Sequence, residues 1–484
     1  MDEQRSLPLK MVSASKWSIL SEVGTRTIAP LSFLVLANFL TPDDFGIVAL
    51  ATMMVSFAQI LWDSGMSKAL IQRAEDIEET ASIVFFGNIF LALAVYVIIF
   101  LAARSISIAF EDPRLMLVSR VQGLQILIGS SSSVHAALLQ RNFDFKALFR
   151  IRIITSLLAA FISIALVFFG SGYWALIVGV LISEAVRSFY LWKSSSWRPM
   201  LAFDRRIARS LLSFGSWVLG EEILAWLIAC GDSIIVAYYL GAFDLGVYRV
   251  GTLMVLIIYG ILLEPLVPVI FSFLSRVQGD TDKFSSYLDV LTRFFSVVSL
   301  PLGFCIFVLA TPAADVFLDQ AWRGIDQVIS YAAINLGLSY IVSAFPPAFR
   351  AQGKVSTFAK MRILSVLYFV PAYVLSIQFG MLIFLYTRIA VTIVTILLYG
   401  LFSKYFLDYS LKRFFGNFLP GAFWALWVFF LAASPNVFKP GILGFWSHAA
   451  WVFTIIACLS IYIIFRGRDR QLLRQIISLS LRRG

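Results

Sequence analysis

Histidine and cysteine are almost missing from this chain. Two histidines, His135 and His448, and three cysteines, Cys230, Cys305 and Cys458, are spread over 484 residues. The cysteines lie far apart in apolar surroundings, so neither a redox pair nor a thiolate metal site is expected, and they read as packing residues. Neither histidine has a partner at ligand spacing. A Walker phosphate loop, an HExxH pair, paired CxxC motifs and a G-x-S-x-G elbow are absent too, and without a nucleotide site the chain is not expected to hydrolyse ATP itself. Charge is also scarce. Charged residues make up 14% of the chain and hydrophobic ones 60%, whereas soluble globular domains carry about a quarter charged residues. A soluble fold is excluded.

Long apolar runs are what the chain has instead. About 20 helical residues cross about 30 Å of hydrocarbon, and fourteen runs are long enough: 14–40, 45–71, 80–103, 115–140, 146–169, 172–193, 210–239, 244–274, 288–311, 326–349, 355–378, 381–403, 417–434 and 445–465. The first follows the polar Met1-Asp2-Glu3-Gln4 and contains Glu22 and Arg26, so it is expected to be a retained span and not a cleavable signal. With the N-terminus placed in the cytoplasm, most of the 39 Lys and Arg fall on that face, and the opposite face holds only Arg104, Arg114, Arg323 and Lys439. This is the positive-inside pattern, not a nucleic-acid footprint, so the net charge of +11 speaks for orientation and anionic lipid contact.

A repeat organises these runs. Residues 13–55 recur loosely in register two hundred positions later: Trp17 matches Trp217, Glu22 matches Glu222, Asp44 matches Asp244 and Gly46 matches Gly246. Apolar matches are common in such a chain; matched Trp, Glu and Asp are not. Each repeat holds six spans, so both halves keep one orientation and should be related by an axis along the membrane normal, as in two-lobed transporters with a site between the lobes. The expected fold is an all-α polytopic membrane protein of about 14 transmembrane helices. It comprises a six-helix lobe (1–193), a cytoplasmic amphipathic linker (194–209) whose arginines alternate with apolar residues such as Ile207, a second six-helix lobe (210–407), two further helices (408–466) and a basic cytoplasmic tail (467–484).

Ionisable residues inside spans cost about 2.5–3.5 kcal/mol each near mid-membrane, so they should face a cavity or a partner. Glu22 and Arg26, four apart on the first span, share a helix face and can pair. Glu222 and Asp232 fall in the seventh span, Arg249 and Glu264 in the eighth, and Arg388 in the twelfth. Arg120 heads a polar row through Gln122, Gln125, Ser130 to Ser133 and His135, too polar for a lipid-facing surface. Guanidinium forks suit phosphate oxygens, so Arg26, Arg249, Arg120 and Arg388 are the candidate anion contacts of a partly hydrated cavity. Arg120 and Arg388 lie nearer the outer surface and lean towards interhelical pairing or headgroup contact. Glu22, Glu222, Asp232 and Glu264 would neutralise the arginines or bind a coupling proton or Na⁺; no organic cofactor or metal is expected. Pro265, Pro268, Pro301 and Pro371 are candidate kinks.

Several short stretches carry a family resemblance. Lys16-Trp17, Phe39 to Gly46 (FLTPDDFG), Asp63-Ser64-Gly65, Leu70 to Arg73 (LIQR) and Ala137 to Phe143 (ALLQRNF) resemble the polysaccharide transporter family of bacterial lipid-linked oligosaccharide flippases. Phe214 to Trp217 (FGSW), Asp232, the 240–248 turn, Pro265, Pro268, Pro301-Leu302 and Ala321-Trp322 are similar to the same family's second half. The resemblance implies two six-helix bundles around a V-shaped cavity with two extra helices, the fold of the multidrug, oligosaccharidyl-lipid and polysaccharide exporter superfamily. It also implies movement of an undecaprenyl-diphosphate-linked sugar repeat from the inner to the outer leaflet of the cytoplasmic membrane, alongside a polymerase and co-polymerase of the same surface-polysaccharide pathway. Pro42, Asp44 and Gly46 are expected to cap the second span. Two other readings stay open: a cation-coupled drug exporter, favoured by the embedded carboxylates, and a membrane glycan polymerase or ligase, which would need an outward catalytic region larger than any external loop here.

Overall fold

The computed structural model describes residues 28, 32, 33, 35–63, 65–73, 75–201 and 204–432. Glu22, Arg26, Cys458, His448, the fourteenth expected span and the basic tail lie outside the described residues. Every regular element described is helical, and nine of the described helices are long and apolar enough to cross a membrane. The protein is a multi-pass membrane protein. The number nine differs from the expected fourteen partly because several expected spans are broken helices. Contacts divide the chain into two compact units, 1–246 and 247–484.

In the first unit, α1 (Pro42–Asp63) begins on a capping box: Asp44 Oδ2 accepts from the Thr41 backbone N–H at 2.9 Å and from its hydroxyl at 2.8 Å. Pro42 fills the first helical position, where a missing N–H is harmless. A turn at Gly65, φ +70°, leads into α2 (Met66–Gln72). The long α3 (Ile77–Ala109) follows, and its Phe90 and Leu101 are about 70% exposed, as a lipid-facing surface requires. The expected fourth span is three short helices, α4 (Arg114–Gln122), α5 (Leu124–Ser130) and α6 (Ser133–Arg141). Such breaks release backbone groups that lipid cannot satisfy. Side chains satisfy carbonyls at the Ser131 break: the Trp192 indole N–H donates to the Ser131 carbonyl at 2.9 Å, the Ser131 hydroxyl to the Ile128 carbonyl at 2.7 Å and the Ser132 hydroxyl to the Gly129 carbonyl at 3.2 Å. Side chains also join these helices to α3 and α1, where Asn88 donates to the Ser133 hydroxyl at 3.0 Å and Gln122 to the Thr52 hydroxyl at 2.8 Å. The polar row is accordingly buried at Gln122, Ser130, Ser132 and His135. At the opening of α4, Asp112 and Asp43 bind Arg114 at 2.8 and 2.6 Å. Hydrogen bonding to Asp112, then to Asp43, holds that guanidinium's pKa above its ordinary value.

Helices α7 (Phe145–Phe168) and α8 (Trp174–Ser194) precede α9 (Arg205–Leu262), a 58-residue run broken at Gly241, φ 86° and ψ −174°. Ile207 and Leu211 of α9 are buried with Met66, Leu70, Val84 and Val134, so the apolar face of this basic segment is covered by protein and not by the inner leaflet. The break at Gly241 lies two hundred positions after Thr41, where α1 starts. Around it the repeat becomes a reciprocal contact. A Cβ on Gly46 would lie 1.8 Å from the Ala242 carbonyl oxygen, and a Cβ on Gly246 would lie 1.8 Å from the Pro42 carbonyl oxygen. Pro42 and Ala242 are again two hundred apart, so each glycine admits the same point of the other repeat's backbone.

The second unit takes the rest of α9, then α10 (Leu266–Arg276), α11 (Thr281–Phe317), α12 (Ile325–Ile341), α13 (Phe345–Ala351), α14 (Val355–Ile377), α15 (Met381–Leu407), α16 (Leu411–Gly416) and α17 (Leu419–Ala432). Prolines mark two of its interruptions, Pro265 at the head of α10 and Pro346 and Pro347 at the opening of α13, whereas Pro301 and Pro371 lie inside the unbroken α11 and α14. Helices α11 and α12 approach closely because Gly303 and Gly337 face backbone: a Cβ on Gly303 would lie 2.7 Å from the Ala333 oxygen, and one on Gly337 3.0 Å from the Ser299 oxygen. The fully buried Tyr259 donates to the Ser299 carbonyl at 2.8 Å. Deeper in the unit, Tyr409 donates to Asp289 at 2.5 Å, Asn417 donates to Asp289 at 2.7 Å, and Arg293 donates to the Asn417 side-chain oxygen at 3.0 Å. This network ties α11 to the α16–α17 segment.

Candidate substrate cavity

A polar cavity of about 480 Å³ opens in the first unit. The end of α1 supplies Ser56, Gln59, Trp62 and Asp63; α2 supplies Ser67 and Lys68; α5 and α6 supply Gly129, Ser133 and Gln140; α8 supplies Glu184 and Arg187; and α9 supplies Glu222. The left-handed turn at Gly65 brings α2 under the cavity, and it has to be glycine because a Cβ there would lie 2.7 Å from the Val218 side chain. On the opposite wall Gly129 is small enough to let Glu184 approach, since a Cβ would sit 3.3 Å from its Oε1.

Charge in the cavity is paired and not uniform. Lys68 bridges to Glu222 across 154 positions of sequence. Arg187 Nη1 donates to Glu184 Oε1 at 2.8 Å. Asp63 accepts from the Ser67 hydroxyl at 2.5 Å. Three carboxylates therefore meet two cations, and the side-chain amides of Gln59 and Gln140 hold no hydrogen bond among the described residues. Trp226 braces the wall: its indole N–H donates to the Ser56 hydroxyl at 2.9 Å and its ring lies 4.7 Å from that of Phe57.

Of the charged candidates singled out by sequence, Glu222 alone among the described ones lines this cavity, joined by Ser133 of the polar row and by Asp63, Gly65 and Gln140 of the family stretches. Arg120 turns instead to α3: its Nε donates to the Phe100 carbonyl at 3.2 Å and its guanidinium lies 4.2 Å from the Phe100 ring centroid. Arg388, on α15, lies 5.3 Å from the Tyr248 ring centroid. Asp232 accepts from the Ser233 backbone N–H at 2.6 Å, and Glu264, between α9 and α10, accepts from the Tyr340 hydroxyl at 3.3 Å. Arg249 is half-buried on α9 beyond the break. Reading the spans in sequence passed over Lys68, Arg187 and Glu184 because they sit near span ends, where charge is ordinary. Two signals pointed to them: the Glu184 and Arg187 pair three apart on one helix face, and the Asp63-Ser64-Gly65 stretch, already part of the family pattern.

Comparison with known proteins places this geometry among relatives. Residues 35–327 match the family described as polysaccharide biosynthesis protein. The succinoglycan biosynthesis transport protein ExoT of Rhizobium meliloti (strain 1021) is 27% identical over 340 residues, covering 70% of this chain and 68% of ExoT. The lipopolysaccharide biosynthesis protein WzxC of Escherichia coli (strain K12) is 24% identical over 380 residues, covering 77% of this chain and 76% of WzxC. Among solved structures, the lipid II flippase MurJ in an inward closed conformation superposes with a TM-score of 0.72 at 14% identity, covering 94% of this chain and 99% of MurJ. An inward-facing multidrug resistance MATE family transporter of the MOP superfamily gives 0.58 at 15% identity, with 83% and 95% covered. At such identities the superpositions speak for the fold alone.

Proposed function

The chain belongs to the polysaccharide biosynthesis protein family, and on that premise we propose that it is a flippase for undecaprenyl-diphosphate-linked oligosaccharide repeat units, carrying them from the inner to the outer leaflet of the cytoplasmic membrane by alternating access. The observation that carries this reading is the charged, hydrogen-bonding cavity inside an otherwise apolar helical unit. A diphosphate with attached sugars cannot cross hydrocarbon without polar groups to replace its water, whereas the polyprenyl tail can stay in lipid. With the N-terminus in the cytoplasm, the ends of α1, α6 and the start of α9 that form the cavity all lie on the cytoplasmic side, where a precursor is loaded. In this reading Arg26 and Arg249 are the diphosphate contacts, while Arg120 and Arg388 serve Phe100 and Tyr248 as packing cations. Glu22, Glu222, Asp232 and Glu264 are the proposed charge partners or coupling sites for a proton or Na⁺, and the polymerase and co-polymerase of the pathway are the proposed partners.

Deletion of the gene, followed by labelling of the lipid-linked intermediate from each side of the membrane, tests this. The intermediate is expected to accumulate facing the cytoplasm, with surface polysaccharide lost; an intermediate that still reaches the outer leaflet would overturn the proposal. A second reading has one observation in its favour: the excess of carboxylates over cations in the cavity suits an organic cation, as in a drug exporter. Unchanged drug susceptibility in the deletion strain argues against it.

A further inference from the structure

The cavity of the first unit makes demands on whatever fills it. Among the described residues its acceptors are the carboxylates of Asp63, Glu184 and Glu222, the amide carbonyls of Gln59 and Gln140 and the hydroxyls of Ser56, Ser67 and Ser133, and the two cations described there, Lys68 and Arg187, are already bound to Glu222 and Glu184. An ionised diphosphate brings only acceptors and negative charge, so it would face like charge and leave the amide carbonyls without donors. A sugar brings hydroxyls, each both donor and acceptor, and matches amides that offer two donors and one acceptor oxygen. A bare cation is a poorer match as well, because no three of the described His, Cys, Asp and Glu side chains converge as ligands for a metal ion. The buried Trp62 adds an aromatic wall. A volume of about 480 Å³ falls in the range of small-molecule sites, about 300–1,000 Å³, and exceeds what a lone ion would fill.

We propose that this cavity is a saccharide subsite: it holds the uncharged, hydroxyl-rich sugars of the head group through Gln59, Gln140 and the Glu184–Arg187 pair, and the diphosphate is held elsewhere. The inference rests on the flippase reading and narrows it. It places selectivity for the sugar repeat on α1, α6 and α8, and it makes the two ion pairs rigid acceptor walls instead of anion traps.

The test uses the full-length protein in lipid nanodiscs, titrated by calorimetry with oligosaccharide released by mild acid from the strain's own lipid-linked repeat, and in parallel with inorganic pyrophosphate and with Na⁺. Gln59→Ala and Gln140→Ala remove amides that hold nothing else in place, so thermal midpoints should stay at the wild-type value. Each is expected to weaken oligosaccharide binding about three- to tenfold, the worth of one or two hydrogen bonds, and to leave pyrophosphate and Na⁺ binding unchanged. Wild-type protein that binds no oligosaccharide, variants that bind it normally, or variants that lose pyrophosphate or Na⁺ binding instead would each overturn the subsite. Failure of the flippase reading shows separately, in the sidedness labelling of the deletion strain, whatever the titrations give.

Discussion

In the first unit Lys68, Arg187, Glu184 and Glu222 stand on a cavity wall, whereas in the second Asp289, Arg293, Tyr409 and Asn417 turn to one another. Both groups are polar residues inside helices bounded by lipid, and both obey the same requirement, that each polar group find a partner other than hydrocarbon. The solutions differ in consequence. A closed network fixes helices against each other and has little to offer a ligand; a cavity wall keeps part of its hydrogen-bonding capacity unused. Polar residues inside apolar helices have thus been put to two uses, in the first unit lining a cavity and in the second locked around α11.

The largest effect expected from breaking this comparison falls on neither group but on the repeat contact. Gly46→Ala and Gly246→Ala each drive a methyl group into a carbonyl oxygen on rigid backbone, and each should cost more than about 3 kcal/mol, seen as loss of folded protein in detergent. Wild-type yields from either variant would mean that the reciprocal approach is not real. Next comes Asp289→Ala. Removing the acceptor shared by Tyr409 and Asn417 leaves two buried donors without it, and a loss of about 2–4 kcal/mol is expected in a thermal or denaturant assay. The cavity pair should behave in the opposite way. Lys68 and Glu222 have side chains 54% and 41% exposed, so the pair contributes at most about 1 kcal/mol to stability. The variant Lys68→Met should keep a near-native midpoint yet lower polysaccharide export. If it destabilises as much as Asp289→Ala, the distinction between contact and lock is lost. The smallest effect belongs to Gly220→Ala, where a Cβ on the helix meets nothing within 4 Å among the described residues. It should raise stability by up to about 1 kcal/mol, the ordinary gain of alanine over glycine in a helix.

Much of this was legible from residues alone, and the divide between what was and what was not is physical. The capping box at Thr41 and Asp44 could be read because caps are local, set within four residues. The burial of the Gln122 to His135 row followed from its polarity, which lipid would not accept. The breaks at Gly123 and Ser131 within that row were not legible, because an apolar run with a few small residues looks the same whether its helix is continuous or interrupted. The apolar face of the 205–211 segment was legible, but not its cover: amphipathicity says that a face will be hidden, not whether lipid or protein hides it. Embedded arginines drew notice because charge inside a span is rare, yet Arg120 and Arg388 lie against aromatic rings, while the cavity is built from charges close to span ends.

Composition settled that this chain lives in a bilayer as bundled helices, since hydrophobicity and helix length act on each segment by itself. Matched Trp, Glu, Asp and Gly two hundred positions apart set the expectation of two halves on one plan. Which side chains meet was decided only on folding: Lys68 finds Glu222 from 154 residues away, and Glu184 lines the cavity because Gly129 on another helix leaves room for it. Such meetings depend on how closely packed helices approach, a quantity set by every contact along their lengths together.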